Sequence, residues 1–250
     1  MAITAQTRTT TAPSTKVPMS PSRKAAFAGG ALYVITFLAS IPALPLLDPV
    51  LSNPSFILGS GSETSVLWGC FFDLINALAG VGSAVALYPV VKRYGQSLAL
   101  GIVTTRIFEM AVIMVGVISL LAVVTLRQVG ATGAEAQSLV IAGRSLVAVR
   151  DWTFLLGPGF ICGVNAAVLG TVLYRSRLVP RWIPLTGLVG APFFIAASVV
   201  TSLLAGTPEI SVWSAVATAP IFVWELALGI YLMVKGFKPT AVTEEIDAAA

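Results

Sequence analysis

Arg106 and Glu109 stand three residues apart in TTRIFEM, with the apolar run ALGIV before them and AVIMVGVISLLAVV after. On a helix that spacing puts both side chains on one face, where guanidinium and carboxylate can meet. In a low-dielectric setting such a pair makes charge-assisted hydrogen bonds, and a second carboxylate beside it can hold a proton or meet a charged solute. Asn165 and Glu225 interrupt two further apolar runs and are candidates for the same cluster. A second polar group comprises Asp73 and Asn76 in one run and Arg150 with Asp151 at the edge of another. Gly157, Pro158 and Gly159, in LLGPGF, remove a backbone donor and loosen a helix, as the interrupted helices of transporters do. The same tripeptide can also be an ordinary kink.

The elements that must position these residues follow from composition. Of 250 residues 56% are hydrophobic and only 10% are charged, and mean hydropathy is +0.91, which describes a membrane protein. Six apolar runs, at about 25–47, 66–91, 97–125, 150–174, 182–205 and 212–235, each approach the 20 or so residues needed to cross a hydrocarbon core. Lipid offers the backbone no hydrogen-bond partner, so each run must be helical, and the expected fold is an all-α bundle of six spans. Residues 1–22, rich in Thr, Pro and Ser, read as a disordered tail, and 239–250 as a short acidic one. The segment AEAQSLVIAGRSLVAV reads as a short helix before the fourth span, lying along the interface or extending that span. Tyr33, Tyr88, Tyr174 and Trp182 fit an aromatic belt.

Loop charges orient the bundle. Arg23, Lys24, Lys92, Arg93, Arg175, Arg177, Arg181, Lys235 and Lys238 all fall on one side, whereas the opposite loops hold no Lys or Arg at 48–65 and 206–211, and only Arg127 and Arg144, with Arg150 at the next span's edge, in the third. The positive-inside rule then puts both termini in the cytoplasm and the chain in the cytoplasmic membrane.

Counting from that side at 1.5 Å per residue, Arg106 lies about 14 Å deep and Glu225 and Asn165 about 15 Å, with Glu109 one turn further at about 18 Å. Three helices therefore place polar groups in one layer, and none of them should face lipid. With both glutamates ionised the cluster carries one net negative charge, which a single bound proton would neutralise. Asp73 lies about 10 Å below the opposite surface, near Arg150 and Asp151. Asp73, Asn76, Gly80 and Ser83 form one stripe suited to close packing or to a wet cavity.

The stretches RKAAFAGGALYVITFLASI, ALYPVVKR, RIFEM, DWTFLLGPGF and LYRSRLVPRWIPLTGLVG, in this order, resemble the bacterial multi-pass membrane family catalogued as domain of unknown function 4386, over about residues 23–236. The resemblance implies a multi-pass membrane protein and brings no catalytic residue with it.

Three function classes compete. The buried polar groups hold the bundle together, or they serve a proton-coupled or small-solute transporter, or Asp73 and Asp151 form the acid–base pair of an enzyme. Against an enzyme, the chain has no histidine, no G-x-S-x-G and no P-loop, and Cys70 and Cys162 lack metal-ligand spacing and read as buried hydrophobes. No cofactor, metal or nucleic acid is expected. The expected partners are the lipid bilayer, a small solute or a proton, and a second copy of the chain where one copy alone does not complete a pathway.

Overall fold

The computed structural model describes residues 19–206 and 212–249, all helices and connections with no strand among them. Helix α1 (Pro21–Leu51) starts where Ser20 accepts a hydrogen bond from the Arg23 amide and Pro21 takes the first helical position. Helix α2 (Glu63–Val91) is capped in the same way by Ser62, whose hydroxyl accepts from the Ser65 amide. Next come α3 (Gln96–Val129), α4 (Ala134–Phe154) and α5 (Cys162–Ser176), then α6 (Trp182–Ile195), α7 (Thr201–Ala205), α8 (Val212–Val234) and α9 (Ala241–Ala248). The disordered tail expected at 1–22 lies outside the described residues as far as residue 18, and its last two residues belong to α1.

Among the described residues five helical runs are long and apolar enough to cross a membrane: Pro21–Leu51, Glu63–Tyr94, Gln96–Val129, Glu135–Ser176 and Val216–Val234. The apolar helix α6 is shorter and continues through a π-helical stretch, Ala196–Val200, into α7. Of the two placements expected for 134–149, the structure shows the extension of the fourth span; a separate interfacial helix before that span is corrected by it. Residues from 135 to 176 form one continuous run of 42 residues, in which Gly143 does not end α4 but lets the helix approach Ile57, where a Cβ would come within 3.0 Å. Arg150 and Asp151, expected at a span's edge, therefore sit well inside a helix.

Large apolar side chains face outward along the runs, among them Leu38, Phe108, Ile118 and Phe193, each at least 60% exposed. Water would penalise such a surface and acyl chains would not. Inside, two apolar cores lie one above the other. Near the termini, Tyr33, Leu87, Leu173, Trp224 and Leu228 pack together, and towards the far loops Leu47, Phe56, Val66, Leu120 and Val124 do. Helices α1 and α8 cross at Gly30 and Gly229, where a Cβ on Gly30 would stand 2.6 Å from the Gly229 carbonyl oxygen. The Arg23 guanidinium donates to the carbonyls of Leu232, Met233 and Val234 and so closes the end of α8.

The acidic C-terminal segment, expected as a tail, is the docked helix α9. Thr240 and Thr243 cap it reciprocally, and Tyr94 shares a hydrogen bond of 2.9 Å with Thr240. Asp247 accepts from the amide and the hydroxyl of Ser22, both at 2.8 Å. Burial opposes ionisation of Asp247, but the bonds from Ser22 and Ser20 together outweigh it and hold the carboxyl below its ordinary value of 3.8. A depressed acid stabilises docking above its unfolded value and loses that contribution as pH falls through the depressed one. Protease cleavage between Lys238 and Ala241 should therefore accelerate below about pH 4 in the native chain, and be fast already at neutral pH in Asp247→Asn, as followed by limited proteolysis with an acid-active enzyme.

Candidate functional site

The charged pair on α3 forms as its spacing requires, with Arg106 Nη1 donating to Glu109 Oε2 at 2.8 Å. From α8, Glu225 Oε1 accepts from Nη2 at 2.9 Å. From α5, Asn165 turns its carbonyl oxygen to Nε and Nη2 at 2.9 and 3.0 Å, in the amide orientation that also lets its nitrogen donate to Thr105 Oγ1 at 3.2 Å. The four residues of the expected cluster thus meet at one point. Two further groups join them. The Tyr33 hydroxyl on α1 accepts from Nη2 at 3.2 Å, with its ring 5.3 Å from the guanidinium carbon, and the Cys162 thiol lies 3.5 Å from Glu225 Oε1. Tyr33 is not a belt residue, since it is only 2% exposed. Its position twelve residues into α1, about 18 Å along the axis, is the signal that would have found it.

Nearer the far loops, Arg150 Nη2 donates to Asp73 Oδ2 at 3.2 Å and the guanidinium lies over the Phe154 ring at 4.6 Å. Gly116 makes room for this, because a Cβ there would come within 2.9 Å of the Arg150 side chain. Asn76 faces the same space with no side-chain partner among the described residues. Asp151 does not join this group. It follows Arg150 by one position, so it points about 100° away around the helix, into a smaller recess of about 140 Å³ shared with Asn53 and Arg144. The carboxylate pair that an enzyme would need, Asp73 with Asp151, is thereby divided between two cavities.

Between the two apolar cores lies a cavity of about 340 Å³ that both ionic groups line. Arg106, Glu109 and Glu225 form its floor; Asp73, Asn76 and Arg150 line it towards the far loops. Pro158 and Gly159 form part of one wall. The Gly157, Pro158, Gly159 interruption lies within a π-helical stretch, Leu155–Ile161, where the Cys162 amide returns to the Gly157 carbonyl five residues back. The second π-helical stretch, Ala196–Val200, packs against it. Among the described residues no cluster of His, Cys, Asp and Glu is fit to hold a metal. What the arrangement can do is hold a charge or a proton at the floor of a largely apolar chamber.

Removing one member of a desolvated ionic group strands the others, at a loss of about 3–5 kcal/mol. Arg106→Ala leaves two glutamates facing one another and should abolish the monodisperse peak in size-exclusion chromatography. Glu225→Gln keeps an oxygen for Arg106 and leaves a neutral Arg106–Glu109 pair, so its peak should match that of the unaltered chain.

No curated protein and no solved structure matches the chain. A family model described as domain of unknown function (DUF4386) matches residues 28–236, a segment that contains every residue of the ionic floor and of the group around Asp73 and Arg150. The membrane-type helices, the internal ionic groups and this match over most of the chain together make the protein a member of the DUF4386 family, for which no activity is established.

Proposed function

We propose that the chain is a six-span protein of the cytoplasmic membrane, with both termini inside, that carries a small solute through its central cavity and couples that movement to a proton on Glu109 or Glu225. The topology rests on the basic residues at the helix ends, of which Arg23, Lys24, Lys92, Arg93, Arg175, Arg177, Arg181, Lys235 and Lys238 cluster where α1 begins and α8 ends, against Arg127 and Arg144 towards the other end. The crossing that completes the six, fifth in chain order, is the run from Trp182 through the π-helical stretch to Ala205, about 36 Å long at 1.5 Å per residue. The observation that carries the functional reading is the cavity whose floor is ionic. A cluster serving only to join helices would be packed dry on all sides, whereas Glu109 and Glu225 each bond Arg106 and also line open volume.

Movement of a solute needs a site that opens alternately to each side, and the two π-helical stretches in contact are suited to that. A π register leaves backbone groups able to exchange partners, which lets a helix change direction at modest cost. The competing reading, an ionic group that only holds the bundle, makes the opposite forecast in one assay. Purified chain in proteoliposomes carrying a pH gradient is screened against labelled amines, amino acids, organic acids and inorganic ions. Uptake of at least one class that collapses with the gradient, and that Glu225→Gln abolishes without altering the chromatographic peak, is the expected result. Uptake no greater than in empty liposomes across the whole panel would leave the structural reading in its place.

A further inference from the structure

We infer that the solute is a small amphipathic monocation, and that it competes with a proton for one excess negative charge shared by Glu109 and Glu225. This rests on the reading above and adds the substrate class. Five charged side chains line the cavity: Arg106 and Arg150 against Glu109, Glu225 and Asp73. Arg150 is matched by Asp73 at 3.2 Å, and Arg106 is divided between the two glutamates at 2.8 and 2.9 Å. With every group ionised, one negative charge is left without a partner. A largely apolar chamber does not hold an uncompensated charge cheaply. A proton supplies the missing charge when the chamber is empty, and a monocation supplies it when the chamber is filled. An anion would double the imbalance.

The rest of the ligand must be apolar. Met110, Ile113, Leu155, Phe194 and Ile221 line the volume around the floor, and about 340 Å³ falls at the small end of the range of small-molecule sites. The way in is sideways. Ile41 and Leu44 on α1 and Phe222 on α8 line the cavity and are 54%, 58% and 43% exposed. The wall there is one side chain thick, and an amphiphile dissolved in the bilayer meets it directly. In the exchange the glutamic O–H bond breaks, the proton leaves to water, and the cation pairs with the carboxylate; no other bond changes. The groups facing these carboxylates are Arg106 on α3, the Tyr33 hydroxyl on α1, Cys162 and Asn165 on α5, and, further along the cavity, Asp73 on α2 and Arg150 on α4.

The test is equilibrium binding of tetraphenylphosphonium and of tetraphenylborate, ions of nearly the same shape and opposite charge, to the full chain in lipid nanodiscs, corrected with empty nanodiscs. The phosphonium should bind saturably and protect Cys162, which lines the cavity, from alkylation. Its affinity should fall by up to about tenfold per unit of acidification once the carboxylate protonates. Glu225→Gln should lose it, and Glu225→Asp, which keeps the charge, should retain it. Phosphonium binding that is indifferent to pH and to Glu225→Gln overturns the inference. So does saturable borate binding of equal strength, an outcome that leaves a solute site standing. Proteoliposome uptake of a neutral or anionic solute without phosphonium binding sinks the cation alone, whereas failure of both binding and uptake removes the transport reading as well.

Discussion

The desolvated guanidinium of Arg106 is the constraint around which the bundle is arranged. An arginine with 5% of its surface exposed must have its charge and its donors satisfied by protein, because acyl chains supply neither. Its partners come from four helices: Glu109 on its own α3, Tyr33 on α1, Asn165 on α5 and Glu225 on α8. Each bond fixes the rotation of the helix that offers it. The lipid-facing surfaces follow from those rotations, so the outward positions of Phe108 on α3 and Phe222 on α8 are consequences of where Arg106 and Glu225 must point.

A cavity beside such a cluster persists because the packing above and below it is tight. Trp224, Leu228 and Leu173 close the end near the termini, while Leu47, Leu120 and Val124 close the other. Between them Leu155, Pro158 and Gly159 of the first π-helical stretch line the cavity, and the second stretch packs against the first. The ion pair of Arg150 and Asp73 faces the same volume and is internally neutral, which leaves the net charge of the chamber to the glutamates on its floor.

What was legible in the sequence was whatever stands out against an apolar background. Arg106, Glu109, Asn165 and Glu225 are polar residues in greasy stretches, and counting 1.5 Å per residue from the basic loops put them in one layer. The proximity of Asp73 to Arg150 followed from the same count. Tyr33 was hidden because a tyrosine has two uses in a membrane, and its type alone does not distinguish a belt from a buried donor site. Asp151 went the other way. Adjacent positions on a helix diverge by about 100°, and only the rotation of α4 about its axis decides which of Arg150 and Asp151 enters the cavity. The helix α9 was invisible because its stability comes from Ser22 and Tyr94, far away in sequence, and not from its own eight residues. At 134–149 a mixed apolar and polar stretch suited both an interfacial helix and an extension of the span, and the continuous helix shows the extension, its single Gly143 notwithstanding.

The central claim is that Arg106 and Glu225 act as one unit across α3 and α8. A double-mutant cycle on unfolding free energy, built from Arg106→Gln, Glu225→Gln and the double substitution, measures that unit most directly. The double variant should be less destabilised than the two single losses combined, with a coupling of about 0.5–3 kcal/mol, because removing both partners leaves fewer stranded charges than removing the arginine alone. Losses that add to within about 0.3–0.5 kcal/mol would mean that the two side chains do not share an interaction, and the ionic floor would lose its basis.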